Sequence, residues 1–154
     1  MNVVVLCAGK KPLPHEQLWI QTYSQRIQNL TDFKLVRIKE TPGQTVEQAI
    51  SKTWKELERK IPKNSWRVLL SPDGKLFSTQ ELFDLFQKIK QSNYKTLTFL
   101  VGGAYGLPKE AKSSTNTSIS LSNMTLPHRI ALLILCEQIY RVLSIQAKNP
   151  YHHG

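Results

Sequence analysis

The sequence predicts an α/β protein, a mostly parallel sheet with helices on both faces, on three observations. Short apolar runs alternate with segments whose apolar residues recur at helical spacing. The first run is β-branched and apolar throughout, as in a strand covered on both faces. The strongest glycine and proline breaks fall directly after predicted strands, where open α/β sheets hold their ligands.

The elements follow in order. Val3 to Ala8 is a strand closed by Gly9, and His15 to Leu30 a helix, with Leu18, Trp19, Tyr23, Ile27 and Leu30 at helical spacing after Pro14. Phe33 to Ile38 alternates as a second strand, Thr41-Pro42-Gly43 breaks it, and Val46 to Lys60 is a second helix carrying Ala49, Ile50, Trp54 and Leu57. Trp66 to Leu70 is a third strand ending at the turn Ser71-Pro72-Asp73-Gly74, after which Ser78 caps a helix through Glu81 to Ile89. Thr96 to Val101 is a fourth strand running into Gly102-Gly103. Pro108 to Ser113 reads as a short helix, Ser118 to Leu121 as a brief strand, Ser122 to His128 as a loop and Leu132 to Ala147 as a long helix. Such alternation implies right-handed crossovers. With 154 residues the chain fits one domain, 1–154, because halves would bury too little apolar surface.

Apolar residues make up 40% and charged residues 21%, a composition that folds and excludes a disordered chain. The net charge of +10, from 21 basic and 11 acidic residues, points to a polyanionic partner: RNA, DNA or an acidic membrane. Cys7 and Cys136 are too few and too far apart for a disulfide framework or a metal motif, which suits a reducing, cytoplasmic setting. Met1 to Ala8 reads as a strand rather than a signal peptide, and no apolar run approaches the roughly 20 residues of a membrane span.

Candidate chemistry is sparse. Gly102-Gly103-Ala104-Tyr105-Gly106 lets a ligand approach backbone amides, yet it is not G-x-G-x-x-G and lacks the lysine and hydroxyl of a P-loop. His15, His128, His152 and His153 have no zinc-binding spacing, so no metal is expected. No Ser–His–acid trio or G-x-S-x-G elbow supports a hydrolase. Glu137 and Arg141 sit one helical turn apart, which by itself describes an ordinary ion pair. Arg129, Tyr140, Tyr151 and His152 mix aromatic and cationic groups suited to unpaired RNA, or equally to a solvated tail.

Four segments carry more: Leu100 to Leu107, Ser120 to His128, Glu137-Gln138-Ile139-Tyr140-Arg141, and Asn149-Pro150-Tyr151-His152. In order and spacing they closely resemble the small methyltransferases of the knotted SPOUT class that act on N3 of pseudouridine in large-subunit ribosomal RNA. The resemblance implies a deep trefoil knot in the C-terminal half, S-adenosylmethionine as methyl donor and a homodimer acting on ribosomal RNA or the large ribosomal subunit, with the assembled ribosome the expected substrate. It implies a donor pocket walled by Leu70, Gly102, Gly103, Ser122, Asn123, Met124, Thr125, Leu126 and Pro127. Arg141, His128, Tyr151 and His152 become the catalytic candidates, with Lys10, Lys11, Arg129 and Lys148 as phosphate contacts. This chain departs from many relatives in carrying Ser71 and Tyr105 where they carry acids. The rival readings are a non-catalytic RNA-binding protein and a knotted methyltransferase with another RNA target.

Overall fold

The computed structural model describes residues 1–151. Its elements are β1 (Asn2–Ala8), α1 (Pro14–Gln28), β2 (Phe33–Ile38), α2 (Val46–Glu58), β3 (Ser65–Leu76), α3 (Thr79–Lys90), β4 (Thr96–Val101), α4 (Lys109–Ser113), β5 (Thr117–Ser120) and α5 (His128–Gln146). The five strands form one sheet in the order β2-β1-β4-β3-β5, with every named pair parallel.

Strand alternation divides the core in two. Val3, Val5 and Cys7 of β1 join Leu97, Phe99 and Val101 of β4 on the face covered by α1, α3 and α5. Val4, Leu6 and Ala8 meet Leu100 on the other face, under Trp54 and Leu57 of α2 and Ala111 of α4. A side chain from either face of β1 is therefore buried, which is why that run is apolar without a break. In β4 the buried Thr98 is satisfied internally, sharing a hydrogen bond of 2.5 Å between hydroxyls with Ser65 of β3.

The expected turn after the third strand does form, since the Asp73 amide donates to Ser71 Oγ at 3.3 Å, but the strand does not end there. Leu70 and Lys75 both register with Ile119, so the turn is a bulge within one long strand. Gly74 permits it: a Cβ there would lie 2.5 Å from the Ile119 carbonyl carbon. Leu18 and Trp19 also depart from expectation. α1 buries Ile20 and Ile27, while Leu18 is 64% and Trp19 54% exposed, the Trp19 ring stacked on Tyr23.

α5 begins at His128, four residues earlier than its apolar pattern, because Pro127 sets the backbone at its N-cap and the Ala131 amide donates to the Pro127 carbonyl at 2.9 Å. It packs against both α1 and α3 through Leu132, Leu135, Cys136, Ile139, Val142 and Leu143. Burial pushes the Cys136 thiol up to about 12, so it is inert packing. α3 opens with the expected cap: Ser78 Oγ accepts from the Glu81 amide at 3.1 Å, and Glu81 accepts from the Ser78 amide at 2.8 Å. Among the described residues no helix is long and apolar enough to cross a membrane.

Removing that cap with Ser78→Ala lowers unfolding free energy by about 1 kcal/mol, whereas Leu135→Ala, at a fully buried position of α5, lowers it by about 2–5 kcal/mol. Chemical denaturation of both variants tests the ranking, and equal losses would contradict it.

Candidate active site

The chain leaves β5 at one sheet edge, runs through Leu121 to Pro127, and enters α5. Along this path it closes a cleft of about 620 Å³ at the bulge of β3 and the carboxyl end of β4. One wall is Leu70-Ser71-Pro72; a second is Val101 to Ala104 with Gly106; the third runs from Ser120 to Ser122 and Met124 to His128, ending at Ala131. Of the expected donor residues, Leu70, Gly102, Gly103, Ser122, Met124, Thr125, Leu126 and Pro127 all line the cleft, while Asn123 is exposed and outside the wall. Ser71, Val101, Leu121 and His128 also line it. Sequence pattern did not single out Val101 and Leu121 because they read as ordinary strand-end residues.

The glycine loop is a tight turn. The Gly106 amide donates to the Gly103 carbonyl at 3.0 Å, with Gly106 at φ +75 and Tyr105 at the tip, 67% exposed. A Cβ on Gly102 would lie 2.7 Å from the Gly106 carbonyl carbon, and one on Gly103 would fall on the Glu40 carboxylate. Glu40 holds this loop from outside by accepting from the Ala104 amide at 3.2 Å. On the opposite wall Ser122 Oγ accepts from the Met124 amide at 2.9 Å and the Ser122 carbonyl accepts from Ser120 Oγ at 2.9 Å.

His128 stands where β1, β4 and α5 meet. Its Nε2 is buried with no hydrogen-bond partner, and a Cβ on Gly9 would lie 2.9 Å from it. Burial holds the imidazole below its ordinary value, opposed by Glu40 and Glu16 and reinforced by Arg129 and Arg37. His128 is therefore neutral at neutral pH.

Arg141 and Tyr151 lie elsewhere. Glu137 Oε1 accepts from Arg141 Nε at 3.0 Å, from Arg141 Nη2 at 2.8 Å and from the Tyr151 hydroxyl at 3.2 Å. Glu137 Oε2 accepts from Gln138 Nε2 at 2.7 Å, and Thr79 donates to Gln138 Oε1 at 2.7 Å, which ties the group to α3. The Tyr151 ring packs edge-on against Tyr140 at 4.6 Å and under the Arg141 guanidinium at 5.0 Å. Burial, then hydrogen bonding to Tyr23 and the Glu137 charge, raises the Tyr151 phenol and keeps it protonated. From His128 to Arg141 the helix rises about 20 Å at roughly 1.5 Å per residue. The chain therefore brings together the expected donor residues with His128, and Arg141 with Tyr151, but not the two groups. His152 lies outside the described residues. Of the phosphate candidates, Arg129 is paired with Glu16 at 3.1 Å, while Lys10, Lys11 and Lys148 are exposed. Among the described residues there is no group of three or more metal-ligating side chains.

A parallel sheet with a mostly apolar, glycine-edged cleft outside its carboxyl ends, closed by a C-terminal segment that returns between two helices, defines an α/β enzyme that binds a nucleotide-sized ligand. The family model described as "Predicted SPOUT methyltransferase" matches residues 1–152. The chain is 31% identical over 156 residues to the ribosomal RNA large subunit methyltransferase H of Christiangramia forsetii, covering 99% of each. It is 32% identical over 159 residues to the protein of that name from Streptococcus pneumoniae strain CGSP14, again covering 99% of each. A probable methylase family protein from Haemophilus influenzae Rd KW20 shares the fold, with a TM-score of 0.55 at 11% identity over 99% of this chain and 70% of that one. The chain belongs to the SPOUT methyltransferase family, and its α/β architecture with a five-stranded parallel sheet is the knotted fold of that family.

Two outcomes test the loop geometry. Gly103→Ala lowers the thermal midpoint and Glu40→Ala in the same chain restores part of the loss, since the obstruction is a side chain; Gly102→Ala, obstructed by backbone, is not rescued. Lowering pH from about 7 to 5 costs stability at His128, because its folded value lies below the ordinary one near 6.5 and the unfolded chain takes up the proton first. His128→Gln flattens that part of the profile; an unchanged profile would remove His128 as its source.

Proposed function

We propose that this chain is a single-domain methyltransferase of the cytoplasm that transfers a methyl group from S-adenosylmethionine to N3 of a pseudouridine in large-subunit ribosomal RNA, on the assembled ribosome and as a homodimer. The observation that carries the reading is the cleft itself. Its volume of about 620 Å³ suits a ligand of nucleoside size, its lining from Leu70, Val101, Leu121, Met124 and Leu126 suits a purine, and the bare Gly102 and Gly103 leave room for sugar and amino-acid parts. When bound, the donor supplies an electrophilic methyl on a sulfonium sulfur.

The chain has to place the acceptor nitrogen in line and favour loss of its proton. A cation serves that purpose, and Arg141 is oriented for it by Glu137 and Tyr151. Neutral His128, with its unpartnered Nε2, is positioned at the donor cleft to take up a proton. Tyr151 or His152 holds the base.

The roughly 20 Å between His128 and Arg141 along α5 supports the dimer, because only the second subunit can bring an Arg141 to a given cleft. The surface supports it too. Leu18 and Trp19 of α1 and Ile130 of α5 are exposed, and Ile134 of α5 is half-buried, apolar surface on two helices that pack together. Lys10, Lys11 and Lys148 supply phosphate contacts, so RNA affinity falls steeply with salt.

Calorimetric titration with S-adenosylmethionine, followed by labelled methyl transfer to ribosomes containing or lacking pseudouridine, tests the activity. Saturable binding with pseudouridine-dependent transfer is expected; RNA binding without donor affinity would make the chain a non-catalytic binder, and transfer to another RNA would move the substrate. Arg141→Ala lowers single-turnover transfer by roughly a hundredfold without changing donor affinity. Mixing Arg141→Ala subunits with donor-dead Gly102→Ala subunits restores about a quarter of wild-type activity, since half of randomly paired dimers carry one intact composite site; no recovery would place Arg141 with its own cleft.

A further inference from the structure

A second cleft, of about 340 Å³, opens on the far side of the glycine turn and shares Gly106 with the first. Its floor is apolar, formed by Pro42 and by Val46, Ala49 and Ile50 on the first turns of α2. Its outer wall is Tyr105, 67% exposed, which faces Val46, 45% exposed, across the opening. Exposure of an aromatic ring at the tip of a hydrogen-bonded turn is not explained by packing, since the turn is closed by Gly103 and Gly106 alone.

The polar groups are equally specific. The Glu40 carboxylate lines the cleft while one of its oxygens holds the Ala104 amide. Around the cleft the charges are mixed: Lys52 Nζ reaches the Pro42 carbonyl at 3.5 Å, and exposed Lys39 and Lys109 flank the two loops that form it, beside exposed Glu47 and Glu110. An exposed aromatic face, an apolar floor and an acceptor at the inner edge are what an unpaired nucleobase requires. A free anion would meet Glu40, whereas the net charge of +10 and the adjoining larger cleft, which shares Gly106, favour RNA as the occupant.

We propose that this cleft holds an unpaired base of the substrate RNA beside the nucleotide that is methylated, with Tyr105 stacking on the base and Glu40 accepting from its N–H edge. The inference rests on the ribosomal RNA reading above and adds a second contact to it: the donor cleft and the base cleft lie on opposite sides of one turn, so a strand crossing Gly106 reaches both. It also gives Tyr105 a use of its own in this chain.

The test compares Tyr105→Ala, Tyr105→Phe and Val46→Glu with the wild type in three measurements: equilibrium affinity for purified ribosomes, KM and kcat for methyl transfer, and Kd for S-adenosylmethionine. Tyr105→Ala weakens ribosome affinity and raises KM by roughly ten- to hundredfold. Tyr105→Phe, which keeps the ring, stays within a few-fold of wild type. Val46→Glu follows the alanine variant, and donor Kd is unchanged in all three. Ultraviolet irradiation of the complex yields a nucleotide crosslinked to the Tyr105 peptide. Unchanged ribosome affinity in Tyr105→Ala and Val46→Glu overturns the proposal, as does a change in donor Kd alone, which would assign Tyr105 to the donor cleft. Should the wild type transfer no methyl group, the enzymatic reading fails while the affinity comparison still decides the base cleft.

Discussion

The seating of α5 is the constraint on which the rest depends. Its inner stripe fills the space between α1 and α3 over the middle of the sheet, and its first residue, His128, is pressed against Gly9 at the carboxyl end of β1. That contact fixes where the returning segment Leu121–Pro127 runs, and so one wall of the larger cleft. A straight helix with its start at that cleft carries Arg141 about 20 Å away from it.

Glycine is used where backbones must meet. Gly102 lies against the Gly106 backbone, Gly103 against Glu40, and Gly74 against Ile119, and in each case the space a Cβ would need is occupied. The polar side chains divide differently. Glu137 accepts four hydrogen bonds and so orients Arg141 and Tyr151, whereas His128 keeps a nitrogen without a partner. A saturated carboxylate suits positioning, and an unsatisfied imidazole beside a cleft suits exchange of a proton.

The sheet was legible because its signals are local: β1 is apolar at every position from Val3 to Ala8, and Ser78 with Glu81 specifies a cap within one turn. Eight residues named through the resemblance line one cleft, so their meeting in space was legible before the structure. What was not legible depends on residues distant in the chain. The Ser71–Gly74 turn could be read, but not that Gly74 meets Ile119 and lets β3 resume. Helical spacing in α1 could not tell the inward Ile20 from the outward Trp19, because spacing defines a face and not what covers it. Glu40 carried no signal at all, since its contact with Ala104 spans 64 positions.

The distribution of charge narrows how such a protein can select its RNA. Three of the four ion pairs among the described residues use arginine, and two of these, Arg129 with Glu16 and Arg141 with Glu137, are partly buried at the two ends of α5. The positive surface left to meet phosphate is chiefly lysine, including Lys10, Lys11, Lys39 and Lys109. Lysine attracts phosphate as a point charge with little directional preference, whereas arginine reads fixed geometry with its planar fork. Affinity drawn from those lysines is nearly independent of sequence. Selection of a single nucleotide must then come from shape and from contacts to the base, not from those lysines.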